Sequence, residues 1–599
     1  MRISRASLAS GLIAAALAAA CLPALGQEKP ESILPPGFGE QPAPTPSATV
    51  APGQPVPQPG TPQPNLASGT VPLPGATPGP APTPTATPTL SSAQLAQYEL
   101  PAYARRSLMS VGPAGPAEGA LRPDAFGRAD GVWIEALMRE VKAPVASRWL
   151  SIALRRALVA RLDTPMRVNG ADFAAERAYL LLRMGEATGA RAVVQSVDSE
   201  NYTVKLLQMA MQTSLANGDP GELCGLTDIA QHLAWQRNWV MARAMCLGLG
   251  GQPTQAQAAI SAARRNGTMS GIDLLLAEKI AGSGASGRQA VTIEWDGVDS
   301  LNAWRYGLAT AGGVAIPGEL MGTVLPRVRS WQALAPQFDA RSRVADAEYA
   351  AARGVFSSAA LVDLYGAIDP NDDQAAAELG VARDLSAAYI APTAQDRQDA
   401  LTRLWDEPKT ADGKFARLVL TARAAERMPT DLDKADAVRL IASMLTAGLD
   451  RSAQKWREKV SSGSDAWAML ALADPDSRTR YAYSDVGGYA PGGDSATFKR
   501  QMLFAGLAGL GRMNAGDIDR GARNFDVKIG AENAWTRAID RAAVERQPGT
   551  VVLLAAIGMQ TPLWRGVPPE VLYHVVAALR ATGQEGTARM IAAEAIARL

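Results

Sequence analysis

The fold of this chain is decided by a short pattern, first seen in "LLLRMGEATGARAVV", residues 180–194. An apolar run ends there at Gly185, and Ala190 lies five residues later. A glycine adopts the left-handed conformation just past a helix without steric cost. A small residue one turn into the next helix lets the two backbones approach closely. The stretch therefore predicts an αα-hairpin with its turn at Gly185.

The same pattern recurs at four more places, each time between two segments of helical periodicity. Each instance has a glycine at the turn and a small residue five positions later. The remaining pairs are Gly251 with Ala256, Gly448 with Ala453, Gly516 with Gly521, and Gly583 with Ala588. Five such junctions predict a series of helical hairpins, which is the arrangement of a repeat protein.

Two runs of three glycines share a spacing of 33 or 34 residues. They are Gly185, Gly218 and Gly251 in the first run, and Gly516, Gly549 and Gly583 in the second. With the Gly-x4-Ala junctions, this period resembles the tetratricopeptide (TPR) family. The resemblance implies an all-α, right-handed αα-solenoid of TPR-like hairpins over residues 128–599, with one concave face. A candidate break in this body lies near residues 282–287.

The rest of the body agrees with an all-α fold. Apolar residues recur at intervals of three and four in segments such as "SRWLSIALRRALVARL", residues 147–162. A credible strand pattern is found only in "AVTIEW", residues 290–295. Twelve tryptophans, from Trp133 to Trp564, suit the packing between repeats, so we expect most of them in the core.

Residues 1–26 have the layout of a secretory signal peptide. Two arginines precede an apolar run from Leu8 to Ala20, and cleavage is expected after Gly26. The run is shorter than the roughly 20 residues that span a bilayer, so we expect no transmembrane span in the mature chain. The segment "LAAAC", residues 17–21, also resembles the box at which bacterial lipoproteins are lipidated, which makes Cys21 a candidate lipid anchor.

Residues 27–100 are predicted to form a disordered linker. Between residues 41 and 90 the sequence holds sixteen prolines and neither a charged nor an aromatic residue. Proline fixes φ and lacks an N–H, and the intervening side chains bury too little apolar surface to offset the entropy of ordering. Such a tract populates polyproline II and acts as a semi-rigid spacer.

Cys224 and Cys246 are the other two cysteines of the chain. The sequence between them is typical of two helices joined by a turn near Trp235, which places both sulfurs at the open end of one hairpin. In an exported protein, two thiols so placed become a disulfide, and we predict one here. Two alternatives stay open. The thiols could be separate and buried, or they could bind zinc with His232, although structural zinc usually takes four ligands.

No catalytic or cofactor motif is found in the sequence. The chain has two histidines, His232 and His574, which leaves little for triads or histidine-rich metal sites. The glycine-rich stretch 483–495 lacks the ending of a phosphate loop, and the carboxylates after Asp369 lack the glycine and distal glutamate of an EF-hand. We therefore expect neither cofactor nor metal. A carboxylate pair that cleaves glycans stays open, since any two acids could meet in space.

Charge and architecture together indicate a binding protein. Lys and Arg total 59 against 58 acids, a balance without a nucleic-acid signature. An exported helical-repeat body behind a spacer predicts a non-enzymatic envelope scaffold that binds an envelope protein, a peptide or peptidoglycan. We expect it in the periplasm or outside the cell, or on the outer membrane if Cys21 is lipidated. The alternatives are a peptidoglycan-acting enzyme resembling lytic transglycosylases, and a structural spacer without a specific partner.

Overall fold

The computed structural model describes residues 104–599 apart from 143, 235, 285–290, 373–374, 432–435 and 477. The expected signal peptide, Cys21 and the linker of residues 27–100 lie outside these residues, as does the second half of the candidate break at 282–287. The described chain is all-α, with 27 helices and one pair of short strands. Within these ranges, none of the helices combines the length and hydrophobicity that a membrane span requires.

The helices follow one another in three groups of nine. The first group is α1 (Gly131–Glu140), α2 (Arg148–Leu158), α3 (Gly170–Met184), α4 (Ala187–Gln195), α5 (Val204–Ala216), α6 (Thr227–Leu233), α7 (Arg237–Leu249), α8 (Pro253–Arg265) and α9 (Gly271–Gly282). The second is α10 (Ala303–Ala311), α11 (Gly318–Met321), α12 (Arg327–Leu334), α13 (Ala340–Ala352), α14 (Ser358–Gly366), α15 (Ala376–Ile390), α16 (Ala394–Asp406), α17 (Ala411–Glu426) and α18 (Ala437–Thr446). The third is α19 (Asp450–Gln454), α20 (Asp465–Ala473), α21 (Tyr483–Gly487), α22 (Ala496–Gly509), α23 (Ala515–Asn524), α24 (Ala534–Val544), α25 (Pro548–Gly558), α26 (Pro569–Ala581) and α27 (Glu585–Arg598).

The start of the described chain is tied to the helices that follow it. Strands β1 (Ser110–Val111) and β2 (Leu162–Asp163) pair antiparallel. Arg106 adds a second attachment, since its backbone N–H donates to Asp198 and its guanidinium donates to the carbonyl of Gln195. The folded body therefore begins earlier than residue 128, because this segment is held by strand pairing and hydrogen bonds and has no helical periodicity of its own.

The strand expected at residues 290–295 is not formed. Residues 291–295 have no strand assignment, and Ala290 lies outside the described residues. Burial does alternate along this segment, and the indole N–H of the half-buried Trp295 donates to the carbonyl of Ala315 at 2.9 Å. The alternating sequence thus corresponds to a segment held by side-chain contacts such as that of Trp295, and no described strand lies beside it to pair with.

At four of the five predicted junctions, the glycine has a left-handed φ and lies between two consecutive helices. These are Gly185 (φ 89°), Gly251 (φ 77°), Gly448 (φ 74°) and Gly583 (φ 81°). The small residues that follow, Ala190, Ala256, Ala453 and Ala588, are at most 3% exposed. At Gly185 a side chain is also excluded by space, because a Cβ there would lie 2.6 Å from the Cβ of Ser330. Gly218, which completes the first run of glycines, is left-handed as well, with a φ of 63°.

Gly516 is not a turn residue, contrary to expectation. Gly511, with a φ of 67°, follows α22, and Gly516 lies in the first turn of α23. Asn514 accounts for the difference, because its side-chain oxygen accepts a backbone N–H of that turn at 2.9 Å and so caps α23. Gly549 likewise lies in the first turn of α25. The second run of glycines therefore does not mark equivalent turns.

The two ends of the body pack against each other. Consecutive helices form hairpins, but α2 also packs against α25 and α27 near the C-terminus. Glu594 of α27 accepts hydrogen bonds from the Ser147 hydroxyl (2.6 Å) and from the backbone N–H groups of Arg148 (2.8 Å) and Trp149 (3.2 Å). An open stack, in which each repeat touches only its neighbours, has no such contact. This array closes on itself, while its kinship with TPR proteins and its handedness stay predictions.

Cys224 and Cys246 form the predicted disulfide, with their Cα atoms 5.3 Å apart. The bond joins the 3-10 helix Pro220–Leu226 to α7, and α6 lies between them. Each sulfur is thereby used, so neither cysteine can bind zinc or act as a nucleophile. The hairpin is held at its open end, as the equal lengths of its two arms predict.

Replacing both cysteines with serine is expected to lower the free energy of unfolding by about 3 kcal/mol, since the bond restricts the unfolded chain over a sequence separation of 22 residues. Urea and thermal unfolding of the variant measure this effect. Alkylation of the native protein without reductant, followed by mass spectrometry, tests the bond itself. Two alkylated cysteines would contradict it.

Candidate functional site

A groove of about 1100 Å³ runs along α24 and α26. The loop of residues 529–532 and Trp133 of α1 form its other sides. We call it the α24 groove. Since α1 packs against α25, the N-terminal and C-terminal parts of the body both contribute to it. The closure of the array therefore creates a cleft that neither end contains alone.

Helix α24 forms the floor of the groove. It begins after Asn533, whose side chain accepts the backbone N–H groups of Trp535 and Thr536. Ile539 faces the core and is fully buried. Spacings of three and four residues place a second set of side chains on the groove side of the helix. They are Ala534, Arg537, Ala538 and Arg541.

Trp133 forms an aromatic wall of the groove. Asp130 caps α1 by accepting the N–H of Val132, and Ile134 and Met138 of that helix are fully buried. The indole lies on the other face, where the residue is 40% exposed, and no other tryptophan of the described chain is classed as exposed. Trp133 thus departs from the expected core position, because α1 lies at the edge of the array, where it packs mainly against α3 and α25.

His574 and Asp540 form a pair in the groove wall. The Nδ1 atom of His574 lies 3.0 Å from Oδ1 of Asp540, and the accepting carboxylate favours the tautomer with its proton on Nδ1. The histidine is 7% exposed and packs edge-on against the rings of Trp535 and Tyr573. Its Nε2 atom is buried and has no hydrogen-bond partner among the described residues. A nitrogen shielded in this way does not reach a substrate proton. The pair therefore has a structural role, because it fixes the orientation of the His574 ring in the groove wall.

The groove carries charged groups of both signs. Arg541 pairs with Glu545 at 3.2 Å, and both side chains are largely in solvent. Arg537 and Glu532 also line the groove and form no ion pair with the part of the chain that the structure describes. Burial, helped by the charge of the Asp540 carboxylate, raises the pKa of the Tyr573 hydroxyl, which therefore stays a hydrogen-bond donor. The arrangement offers donors and acceptors side by side.

A buried ion-pair network elsewhere holds two carboxylates close together. Glu135 and Glu176 each pair with Arg139 and Lys205, which joins α1, α3 and α5. Burial raises the pKa of Glu135, and Lys205 opposes this effect. The side chain of Glu176 is 1% exposed, so a substrate cannot reach it. The network stabilises helix packing and is not the glycan-cleaving pair that the sequence left open.

Two smaller crevices lie elsewhere on the described chain. One, of about 510 Å³, is lined by Arg106 and Arg161 among others. The other, of about 540 Å³, contains Arg451, Arg457 and Arg478. Neither is lined by an aromatic side chain, and Arg457 is already paired with Asp474. The α24 groove is therefore the better candidate for a binding site.

Glu186 is a buried acid whose titration is expected to affect folding. It follows the turn at Gly185 and is 5% exposed, and Arg155 of α2 donates to it at 2.7 Å and to the carbonyl of Gly354 at 2.8 Å. Burial raises the pKa of Glu186 to about 7, and Arg155 lowers it only in part. The folded protein therefore holds this proton at a pH at which the unfolded chain, with an ordinary glutamate, has lost it.

Between about pH 4.5 and pH 7 the folded state binds more protons than the unfolded state, so stability is expected to fall by about 2–3 kcal/mol as the pH rises through this window. Above pH 7 this contribution levels off. Urea unfolding of Glu186→Gln at several pH values should show that the free energy of unfolding falls less steeply with pH than in the wild type. Glu222, whose pKa burial also raises to about 7, accounts for a residual slope of the same sign, which Glu222→Gln should remove. If the free energy of unfolding depends on pH in both variants as it does in the wild type, the attribution of this pH dependence to Glu186 and Glu222 is refuted.

Few of the residues singled out in the sequence meet in space. His232 lies on the surface at the end of α6, away from the groove lining. The stretch 483–495 forms the short helix α21 and then a loop, and Asp369 accepts the N–H of Asn371 in a turn before α15. Across the described ranges, no group of three or more potential metal ligands is found.

Sequence reasoning missed the groove, although one signal was present. Asp540 and His574 are 34 residues apart, which is the spacing expected of a tetratricopeptide-like repeat, and α24 and α26 pack against each other. Residues one period apart lie side by side in such a stack. No protein-family model matches the chain, and neither a curated protein nor a solved structure is significantly similar to it. Its function is therefore inferred from the groove.

Proposed function

We propose that this protein is an exported scaffold of the cell envelope that binds a protein, a peptide or a cell-wall polymer in the α24 groove. The observation that carries the proposal is an open cleft of about 1100 Å³ with an exposed tryptophan beside charged side chains. Tryptophan, tyrosine and arginine are the residues that most often dominate binding surfaces. The Cys224–Cys246 disulfide supports an oxidising location such as the periplasm.

Binding accounts for the groove better than catalysis does. The free nitrogen of His574 is buried, so it is out of reach of a ligand in the groove. The side chains of Asp540 and Glu545 are 54% and 48% exposed, whereas the acid of a glycosidase lies in a dry pocket. The carboxylates along the groove still favour a peptidoglycan-acting enzyme as the second candidate.

Photocrosslinking in intact cells tests the scaffold proposal. A photoreactive phenylalanine analogue is placed at Ala538 on the groove floor, and a matched control is placed at Ile390, which is 75% exposed and does not line the groove. We expect reproducible adducts from position 538 alone. Equal adducts from both positions, or none from either, would argue against a specific ligand in the groove and for a structural spacer.

Incubation of the purified protein with cell-wall sacculi tests the enzyme alternative. A scaffold should bind sacculi without releasing soluble muropeptides. Asp540→Asn is the informative variant, since Asp540 lines the groove and has a half-exposed side chain. Release by the wild type that this variant abolishes would replace the scaffold proposal by the enzyme.

A further inference from the structure

We infer that the α24 groove takes a neutral oligosaccharide chain. This inference rests on the proposed function and narrows its three ligand classes to one. Three features support it: side-by-side donors and acceptors, a near balance of charge, and an exposed indole in a groove whose floor includes two alanines. A single ligand chemistry has to satisfy all three.

Sugar hydroxyls match the mixture of donors and acceptors. Arginine side chains only donate hydrogen bonds and carboxylates only accept them, whereas a hydroxyl does both. Arg537 and Arg541 lie along the same groove as Glu532, Asp540 and Glu545. Arg541 pairs with Glu545, and Asp540 pairs with His574. A ligand with donors alone would leave Arg537 unmatched, and one with acceptors alone would leave Glu532 unmatched. A row of hydroxyls can satisfy both sets together.

The balance of charge argues against an ionic ligand. Two arginines and three carboxylates line the groove, and His574 is already engaged by Asp540. An anionic polymer would face the carboxylates, and a cationic one would face the arginines. Like charges brought together at an interface cost several kcal/mol. A neutral chain meets neither penalty.

Trp133 supplies a surface for the apolar face of a sugar ring. A pyranose has a flat face of C–H groups and a polar rim, and tryptophan likewise combines a broad apolar body with a polar N–H. Ala534 and Ala538 on the floor leave space for a wide ring or for the methyl of an acetamido group. The volume of about 1100 Å³ exceeds the range of about 300–1,000 Å³ typical of small-molecule sites, which suits several linked sugars.

Isothermal titration calorimetry of the purified full chain with chitotetraose, a neutral tetramer of N-acetylglucosamine, tests the inference. We expect saturable binding that Trp133→Ala weakens about tenfold or more and that Trp133→Phe largely retains. The matched control is Trp295→Ala, which removes a half-buried indole outside the groove and should leave binding unchanged.

Two polar variants test the hydrogen-bonding part separately. Arg537→Met and Glu532→Gln each remove one exposed group without touching the core, so the circular dichroism spectrum should not change. Each is expected to weaken chitotetraose binding about threefold to tenfold. If both variants bind as the wild type does, the arrangement of donors and acceptors has no role and the inference is overturned.

The choice of ligand separates this inference from the proposed function. Binding of chitotetraose or of maltotetraose supports a neutral oligosaccharide. Failure of both at millimolar concentration, or tighter binding of the anionic hyaluronan tetrasaccharide, overturns the inference. If a protein or peptide is then crosslinked at position 538, the scaffold proposal stands without the sugar. If nothing is crosslinked there, both fail.

Discussion

Replacing Glu594 with alanine is expected to lower the free energy of unfolding by about 3–5 kcal/mol. Glu594 is 5% exposed and accepts three hydrogen bonds from the start of α2 and one from Arg598. Arg148 beside it is 3% exposed, and its Nε and Nη1 atoms have no hydrogen-bond partner in the part of the chain that the structure describes. Burial lowers the pKa of Arg148 to about 10, against the opposing effect of Glu594. Without the carboxylate, this cation stays uncompensated in the core, and the first two backbone N–H groups of α2 lose their acceptor.

Urea unfolding of the purified variant measures this loss, and Glu585→Ala is the matched control. Glu585 lies on the same helix, is half-exposed and forms no ion pair within the described chain, so its removal should change stability by less than about 1 kcal/mol. Equal losses in the two variants would contradict a specific role for Glu594. Because this junction holds the two ends of the array together, Glu594→Ala should also reduce crosslinking from position 538.

Replacing Arg177 with methionine is expected to lower the free energy of unfolding by about 4 kcal/mol. This arginine is fully buried, and its Nη atoms donate to the carbonyls of Leu158 (3.2 Å), Ala160 (2.8 Å) and Val111 (2.8 Å). Burial lowers its pKa to about 9. Each carbonyl that loses its donor costs about 1–3 kcal/mol, and relief of the buried charge offsets part of the sum.

The loss of stability in Arg177→Met should appear first in the segment that contains β1, because Arg177 donates a hydrogen bond to the carbonyl of Val111 in that strand. Limited proteolysis is therefore expected to cut the variant faster between residues 106 and 125, and urea unfolding gives the size of the effect. Arg156→Met is the matched control, since Arg156 is exposed on α2 and should change stability by no more than about 0.5 kcal/mol. A variant at residue 177 as stable and as protease-resistant as the wild type would refute this role.

Interactions between residues close together in the chain account for the features that could be predicted from the sequence. The left-handed glycines at Gly185 and Gly251, and the buried alanines after them, follow from backbone sterics within a few residues. The disulfide also follows from short-range geometry, since Cys224 and Cys246 lie on the arms of one hairpin. The wrong prediction of a turn at Gly516 also concerns interactions between residues close together in the chain. Asn514 caps α23 and moves the turn back to Gly511, so a local signal was misjudged.

The candidate site could not be predicted in the same way. Trp133 becomes exposed because α1 lies at an edge, and it reaches the groove because α1 packs against α25. Both facts depend on how the two ends of the array meet. The spacing of 34 residues between Asp540 and His574 agrees with the expected repeat, but such a spacing does not tell which pair of residues faces a cleft.

By itself, the sequence determined that this chain is a series of helical hairpins with left-handed glycine turns and one disulfide-bonded hairpin. Those features depend on φ preferences, apolar spacing and loop length, which act between residues close in the chain. Only the tertiary structure decided that Glu594 accepts the first backbone N–H groups of α2 and that Trp133, Asp540 and His574 line one groove. The reason is physical: hydrophobic burial is non-directional, so the helix pattern specifies that a face is buried without specifying which distant helix covers it.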